Sequence, residues 1–529
     1  MNADAQHRND RLVERLIEIL GKDAVITDPA ERRFYSADVY SEGEHCTAAI
    51  RPKDVPALAK AVAAATAAGY AVIGRGGGMS YTNGYTPVRP DTVTVDTGAL
   101  NRIIEINDAD MYITVEAGVT WKQIYDALKP RGLRLPFFGT FSGIRATVGG
   151  GLSQGALFMG TARYGQGADI VLGLEVVLAD GTVVTTGQGG FRNAKPFYRT
   201  YGPDLTGLFI HDGGAFGIKT KATLKLMRTP KSVGFASFAF PSIELASQAL
   251  SEIARAGIAE EAYIFDPEST DKNLAGASVV EDLKTLAGVV KGQGSFAKGL
   301  IEGAKLVLAG RSFAKEGMFS LHMVAAGRVD AAVEADLAAA RDIAARFKGE
   351  DMPNSIPKAV RADPFKPLNS VLGPHGDRWA AMNAKVAHSD AMTIITAGDR
   401  LLEPYRARMA QHGIWVSRLF IAIDSYAFSY EPVLHWDDEW LPVHRRTPEP
   451  GHLAKLKEPA ANPAARALVH EIRLKFAELF AAHGASSNQI GKTYPYLDAL
   501  KPETRALVTG IKGLLDPQRQ LNPGVLGFK

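Results

Sequence analysis

Short apolar strands alternate with Ala-rich amphipathic segments along the first half of the chain. Residues 46–78 run from an apolar strand through a Pro-led turn and an Ala-rich helix to a second strand and a glycine loop, which is the order of an α/β unit. Beyond residue 91, apolar and polar residues alternate in short strands, and Thr120 stands where an N-cap would begin a helix. Asp180 and Gly181 predict a hairpin turn between two later strands.

The pattern changes near residue 232, where strands such as MFSLHMVAAG begin to alternate with Ala-rich helices. This change predicts a second α+β domain. Within it, Lys291, Lys298 and Lys305 lie seven residues apart among apolar residues. The spacing indicates a basic stripe on an amphipathic helix, which is either a solvated face or a lid or membrane-surface helix.

Length and composition narrow the class of protein. At 529 residues the chain is too long for one ordinary core, so two closely packed domains are expected. The formal net charge of +3 gives no reason to expect a nucleic-acid partner. The single cysteine, Cys46, excludes an intrachain disulfide and a cysteine-based zinc site. With no secretory signal and no apolar run of bilayer-spanning length, we expect a cytoplasmic protein, and peripheral membrane contact stays open.

Three glycine-rich loops carry the first sign of a ligand. Residues 76–78 are consecutive glycines after a strand, and such a loop can turn its backbone N–H groups inward around a phosphate. The residues that follow do not resemble a helix start, which a dinucleotide fingerprint would require. Further glycines at 149–151 and at 213, 214 and 217 also lie near strands. One long ligand, such as a flavin dinucleotide, would use all three loops, whereas each loop alone is also explained as a tight turn.

The ordered motifs RGGGMSYTNG, VEAGVTWKQIYDAL, ATVGGGLSQGALFMGTARYG, VLGLEVVLADG, YGPDLTGLFIHDGGAFGI and LDPQRQLNPGVLG resemble the vanillyl-alcohol oxidase / p-cresol methylhydroxylase (PCMH-type) superfamily of FAD enzymes. That superfamily includes D-lactate dehydrogenases and glycolate oxidase subunits. The resemblance implies an α+β fold in which residues 1–231 form an FAD-binding domain of two α+β subdomains. Residues 232–485 would form an α+β substrate-cap domain with a large antiparallel sheet, and residues 486–529 would return to the FAD domain.

The resemblance also implies the cofactor-binding residues. Many covalent relatives carry a histidine at the position of Met79 as the flavin attachment point, and a thioether cannot replace that imidazole. Attachment at Met79 is therefore not expected, while a histidine elsewhere stays open. The cofactor-binding set comprises Arg75, Gly76, Gly77, Gly78, Met79, Ser80, Gly149, Gly150, Gly151, Leu152, Gly214, Gly217, Ile218 and Asn522.

Neither active-site pattern that the resemblance suggests fits this chain cleanly. The D-2-hydroxy acid dehydrogenases carry H-x-G-D-G-N-x-H and G-E-H-G-I-G motifs that bind a divalent metal, but this chain has IDSYAFSYEPVLHW and SSNQIG, so no metal site is predicted. The phenol-oxidising branch places an aspartate where this chain has Gln166 and carries a Tyr-Arg pair that SNQIGKTYPYL lacks. The catalytic residues must therefore be sought among other side chains.

Tyrosines and nearby cations supply the remaining candidates, because such a pair can bind a phenolate or act as a base. Alternation along a strand predicts that Tyr426 and Tyr430 share one face. The alternative is that these aromatic side chains only pack the domain interface. The candidate catalytic set is Arg418, Tyr426, Tyr430, His435, Gln489, Lys492 and Tyr494.

The sequence thus favours an FAD-dependent oxidoreductase that oxidises an alcohol or benzylic carbon by hydride transfer to flavin N5. The stretch RLPFFGTF predicts an apolar pocket wall and so favours an aromatic substrate. Electrons would pass to oxygen or to an acceptor protein such as a cytochrome, and a homo-oligomer is expected. The alternatives are a D-2-hydroxy acid dehydrogenase of the D-lactate or glycolate type and a flavin-binding protein without turnover.

Overall fold

The computed structural model describes residues 3–268 and 317–529. Within these ranges the strands form sheets of four, five, two and eight strands, surrounded by helices. The predicted α+β class is confirmed. The predicted helix with Lys291, Lys298 and Lys305 lies outside the described residues. None of the helices within the described ranges combines the length and apolarity that a membrane span requires.

The first sheet has the order β1-β2-β4-β3. Strands β2, β3 and β4 run parallel, and β1 pairs antiparallel with β2. The helices Ala3–Leu20 and Val55–Ala67 pack against each other and bury their apolar side chains on this sheet. The strands are β1 Val25–Ile26, β2 Ala48–Ile50, β3 Ala71–Arg75 and β4 Thr92–Asp96.

The second sheet is antiparallel with the order β5-β6-β10-β8-β9, and a two-stranded sheet pairs β7 with β11. Thr120 caps the helix Trp121–Leu128 by accepting the Gln123 N–H at 3.2 Å. Gly181 has a φ of 83° in the turn between β8 and β9, so both local predictions are confirmed. The strands are β5 Ile103–Asn107, β6 Tyr112–Glu116, β7 Leu133–Arg134, β8 Val171–Val177, β9 Val183–Thr185, β10 Ile218–Lys225 and β11 Met227–Arg228.

The eight-stranded sheet is antiparallel, with the order β15-β12-β14-β13-β18-β19-β16 and with β17 also paired to β19. Helices bury one face of this sheet, which we call the helix face, in the largest apolar cluster. The opposite face carries Leu419 and Ile421 toward the N-terminal loops. The strands are β12 Ser232–Phe240, β13 Glu261–Phe265, β14 Phe319–Gly327, β15 Glu350–Asp351, β16 Arg378–Ala381, β17 Ala384–Ala387, β18 Trp415–Ile423 and β19 Ala427–Trp436.

Helices connect the strands and form the C-terminal part of the chain. The α-helices of the described ranges are Ala3–Leu20, Pro29–Tyr35, Val55–Ala67, Trp121–Leu128, Val148–Gln154, Thr161–Tyr164, Leu205–Leu208, Ile243–Arg255, Asp330–Arg346, Ser355–Ala362, Ala391–Leu402, Arg406–Gln411, Pro442–Arg446, Pro450–Leu453, Pro463–Ala482, Tyr496–Ala499 and Pro502–Leu515.

The last residues of the chain return to the first sheet. Val72 of β3 donates its N–H to the Gln520 carbonyl at 2.9 Å and accepts the Asn522 N–H at 2.9 Å. The buried Asn522 side chain then donates to the carbonyls of Gly84 at 2.7 Å and Gly213 at 2.6 Å. One amide therefore ties the C-terminal segment to two loops that are far apart in sequence.

Replacing Asn522 by alanine should destabilise the protein, because two buried carbonyl groups lose their donor. We expect Asn522→Ala to lower the free energy of unfolding by about 2 kcal/mol, measured as a fall in the thermal midpoint. Asn193→Ala is the matched control, since Asn193 is exposed and shares the positive φ of Asn522. Equal effects of the two substitutions would show that backbone strain, and not the lost hydrogen bonds, sets the cost.

Candidate functional site

A cavity opens where β3 ends, between the first sheet and the eight-stranded sheet. With its open mouth it encloses about 1,660 Å³. The three glycine loops form one side, and side chains of β16, β18 and β19 form the other. Residues so distant in sequence meet here because the C-terminal contacts hold both sheets around the loops. Beyond the glycines, its lining includes Arg75, Tyr81, Phe141, Gln154, Phe158, Leu368, Val371, Trp379, Leu419, Ile421, Glu431, Asn488 and Gln489.

The loop after β3 has room for backbone alone. A Cβ on Gly76 would stand 2.2 Å from Thr147 Oγ1, and a Cβ on Gly77 would stand 2.0 Å from the Arg145 carbonyl oxygen. Gly78 has a φ of 73°, which side chains rarely adopt. The sequence therefore requires glycine here to let the loop pack against residues 145–147. A loop of this form suits an anion, which is bound by main-chain donors.

The second and third glycine loops approach the same cavity. Thr147 accepts the Gly150 N–H at 3.3 Å and caps the helix Val148–Gln154. A Cβ on Gly151 would stand 2.8 Å from the buried ring of Trp121. In the third loop Gly214 has a φ of 78°. Glycines of all three loops thus line one cavity with their backbone. This arrangement is the one that the sequence predicts for a single long ligand.

Most of the expected cofactor-binding residues line the cavity. Leu152 does not, because its side chain is buried in an apolar cluster. Asn522 does not line it either; its amide lies behind the wall on the two loop carbonyls. The roles of all these residues remain predictions. Those that line the cavity are Arg75, Gly76, Gly77, Gly78, Met79, Ser80, Gly149, Gly150, Gly151, Gly214, Gly217 and Ile218.

Three side-chain amides on the cavity wall have unsatisfied oxygen atoms. Gln154 Oε1, Asn488 Oδ1 and Gln489 Oε1 are buried without a hydrogen-bond partner. Buried acceptors of this kind are costly unless a ligand satisfies them. The pyrimidine edge of a flavin carries donor and acceptor groups that match such amides. Together with the glycine loops, this donor and acceptor set fits FAD.

Two of the sequence candidates lie on the helix face of the eight-stranded sheet, away from the cavity. Arg418 forms ion pairs with Asp266 and Asp399 at 3.2 and 2.9 Å. Tyr430 is fully buried and packs its hydroxyl against Gly398 of the helix Ala391–Leu402. Arg418 and Tyr430 are therefore corrected from catalytic candidates to packing residues, because the alternation of β18 and β19 turns both toward the helices.

Two further candidates also lie outside the cavity lining. Tyr426 lies in the turn before β19 and is 60% exposed, so it does not share a strand face with Tyr430. His435 stacks on Trp415 with ring centroids 3.7 Å apart and contacts Ser417 Oγ at 2.9 Å. Tyr426 and His435 are therefore corrected as catalytic candidates. The turn before β19 holds Tyr426 away from the cavity, and the stacking on Trp415 holds His435 away from it.

Of the three C-terminal candidates, Gln489, Lys492 and Tyr494, one lies on the cavity wall and two do not. Gln489 lines the cavity. Lys492 is half-buried outside the lining, donates to the Thr86 carbonyl at 2.6 Å and has its pKa lowered by desolvation to about 7. Tyr494 accepts the Asn383 N–H at 2.7 Å, and burial raises its pKa to about 12. Lys492 and Tyr494 thus support the wall, and neither reaches the cavity.

The sequence reasoning missed Glu431, which lies next to Tyr430 but faces the cavity. Glu431 stands opposite Leu419 in the register of β18 and β19. Burial raises the pKa of Glu431 to about 7, while the Asn383 amide at 3.3 Å opposes the shift. A single carboxylate within the apolar strand AFSYEPVLHW was the available signal, because acids are rarely buried without a function.

Aromatic and aliphatic side chains line the same cavity as Glu431. The rings of Phe141 and Phe158 lie 3.8 Å apart, and those of Tyr81 and Trp379 lie 5.4 Å apart. Phe141 belongs to the stretch predicted as a pocket wall. The other two phenylalanines of that stretch, Phe137 and Phe138, are buried in the core. We call the surface formed by Leu368, Val371, Trp379, Leu419, Ile421 and Glu431 the cap wall.

Comparisons with known proteins agree with this site. A family model described as an FAD binding domain matches residues 46–187. The D-lactate dehydrogenase (cytochrome) 1, mitochondrial, of Saccharomyces cerevisiae is 29% identical over 50% of this chain and 44% of that protein. The 4-cresol dehydrogenase (hydroxylating) flavoprotein subunit of Pseudomonas putida is 36% identical over 27% of each chain. The chain thus spans less than half the length of these curated relatives.

The fold extends the similarity over the whole chain. The crystal structure of p-cresol methylhydroxylase with substrate bound matches with a TM-score of 0.74 and 19% identity, covering 99% of this chain and 98% of that chain. Residues 46–187 therefore form an FAD-binding domain and the cofactor is FAD, while the whole described fold is similar to that of p-cresol methylhydroxylase.

Adding one methyl group to the loop after β3 should prevent FAD binding. Gly77→Ala forces a Cβ into the Arg145 carbonyl oxygen, so we expect the purified variant to retain less than about a tenth of the wild-type flavin absorbance. Gly510→Ala is the control, because nothing lies within 4 Å of a Cβ there. Full flavin content in Gly77→Ala would contradict the steric argument.

Acid precipitation should release the flavin into the supernatant, because Met79 offers no nucleophilic nitrogen where many relatives attach theirs. The measurement is the visible absorbance of supernatant and pellet. Colour that stays in the pellet would show covalent attachment at a different residue.

Proposed function

We propose that this chain is an FAD-dependent enzyme that oxidises an alcohol or benzylic carbon of an aromatic substrate. Bound FAD would supply the hydride acceptor at flavin N5. The accompanying proton needs a base in the cavity, and the proposal assigns that role to Glu431. The observation that supports it best is a carboxylate whose pKa lies at about 7 in an otherwise apolar cap wall.

Glu431 has the properties of a general base near neutral pH. A base works best when its pKa is close to the working pH, since it is then both available and strong enough to take a proton. Asn383 Nδ2 donates to Glu431 Oε2 at 3.3 Å and to Ser429 Oγ at 2.8 Å, which orients the carboxylate. The same residue accepts the Asn488 N–H at 3.2 Å. Asn383 therefore links the proposed base to Asn488, whose side chain lines the cavity.

The cap wall favours an aromatic substrate. Leu419 and Ile421 offer aliphatic surface, and Phe141 and Phe158 offer rings that stack on a planar substrate. Tyr81 lies near Glu431, and burial together with the charge of Glu431 raises its pKa well above the usual value. Tyr81 therefore stays protonated and can donate a hydrogen bond to a substrate oxygen. These side chains also keep water away from the reacting carbon.

A D-2-hydroxy acid dehydrogenase is the second candidate, because the relatives with the longer matches include the yeast D-lactate dehydrogenase. A flavin-binding protein without turnover is the third. We further propose the division into residues 1–231, 232–485 and 486–529, and oxygen or an acceptor protein as the electron acceptor. Anaerobic titration separates the three functions. Bleaching of the flavin by an aromatic alcohol supports the first, bleaching by D-lactate supports the second, and no bleaching by either compound supports the third.

Removing the base should abolish reduction of the flavin without removing the flavin. We expect Glu431→Gln to lower the anaerobic rate of flavin reduction by about 10²-fold or more, with the flavin content unchanged. Glu334→Gln, an exposed helix position, is the matched control.

The pH dependence tests the same assignment. Glu431 acts as a base only when deprotonated, and its pKa is raised to about 7, so the wild-type rate should rise with pH up to about 7 and then level off. Glu431→Gln should lose this limb. A variant that keeps both the rate and the limb would overturn Glu431 as the base.

A further inference from the structure

A buried arginine lies directly beneath the glycine loop. Arg75 ends β3 and is 3% exposed. A Cβ on Gly78 would stand 2.3 Å from Arg75 Nη2, so the guanidinium group packs against the loop backbone. The Arg75 Cζ lies 4.6, 5.1 and 5.4 Å from the ring centroids of Phe34, Tyr35 and Tyr85.

This guanidinium group lacks a counter-charge among the residues that the structure describes. Arg75 Nε and Nη2 are buried without a hydrogen-bond partner. The carboxylate on the neighbouring strand, Asp96, is bound by Arg51 at 2.8 Å and by the Tyr35 hydroxyl at 2.8 Å. Aromatic rings offset part of the cost of burying a cation, but they carry no net negative charge.

A second arginine adds to the positive charge at this loop. The carbonyl of Arg145 faces Gly77, and its Cζ lies 5.9 Å from the centroid of Phe34. Its Nη1 donates to Thr447 Oγ1 at 3.0 Å, which is a neutral partner. Burial and the nearby charge of Arg75 lower the pKa of Arg145. Arg446 lies over the same ring, but it is paired with Glu31 at 2.7 Å.

We propose that Arg75 and Arg145 together supply the counter-charge for the two negative charges of the FAD pyrophosphate on the loop Gly76–Ser80. The loop backbone would provide the direct contacts, and the two guanidinium groups would act through it as positioning residues. Opposite charges a few ångströms apart attract strongly where water is excluded. The inference rests on FAD binding, and it holds whether or not Glu431 is the base.

A distinctive consequence follows for the protein without FAD. An uncompensated buried charge destabilises a fold, whereas a charge that neutralises a bound anion stabilises the complex. Removing the charge of Arg75 should therefore weaken FAD binding without weakening the FAD-free fold. A residue that only packs the aromatic rings would lower both stabilities together.

The test compares Arg75→Met with Arg446→Met. Methionine keeps a long apolar side chain among the rings, and Arg446 contacts the same Phe34 ring while paired with Glu31. We expect Arg75→Met to raise the FAD dissociation constant at least tenfold, measured by fluorescence of flavin released on dilution. Its FAD-free thermal midpoint should stay equal to or above the wild-type value. Arg446→Met should change the dissociation constant less than twofold.

Further variants separate charge from packing. Arg75→Lys keeps the charge and should retain most of the affinity, and Arg145→Met should weaken FAD binding in the same direction as Arg75→Met. Arg145→Met also carries the test if Arg75→Met does not fold. Unchanged FAD affinity with a lower FAD-free midpoint would overturn the proposal and assign Arg75 to packing. Wild-type protein that takes up no FAD would overturn the cofactor assignment itself.

Discussion

The close approach between the loop after β3 and the backbone at residues 145–147 is the constraint on which the site depends. The loop meets the Arg145 carbonyl and the Thr147 hydroxyl at distances that leave no space for a Cβ. Thr147 also caps the helix Val148–Gln154. The same contact therefore sets the spacing between the first sheet and the second glycine loop, and so the width of the cofactor cavity.

The C-terminal segment holds the loops at Gly84 and Gly213 in place against the first sheet. Asn522 joins the loops at Gly84 and Gly213 through one buried amide, and Val72 pairs with the backbone on both sides of Leu521. The loops are thus held by hydrogen bonds to residues from the opposite end of the chain. A cavity built this way needs residues from both ends of the chain.

The glycine loops could be predicted from the sequence because their requirement is local. A strand followed by consecutive glycines, or a threonine before a helix, has the same meaning wherever it lies in the fold. The side chains that face the cavity from the eight-stranded sheet could not be predicted in this way. Alternation places Tyr430 and Glu431 on opposite faces of β19, but it does not say which face the helices cover. That choice depends on helices such as Ala391–Leu402 and Pro463–Ala482, and it turns Glu431, not Tyr430, toward the cavity.

The glycine loop and the cap wall each place an ionisable side chain in surroundings that disfavour its charge, a cation at the loop and an acid at the cap wall. At the loop, Arg75 is a buried cation without a carboxylate partner among the described residues; at the cap wall, Glu431 is a half-buried acid whose pKa is raised to about 7. Arg75 does not stabilise the empty fold, since burial of an unpaired charge is costly, whereas Glu431 has the neutral amide of Asn383 as a hydrogen-bond partner. Under the proposed roles, a phosphate anion would complete the first group and a substrate proton the second. The nearby arginines Arg51 and Arg446 are, in contrast, paired with carboxylates.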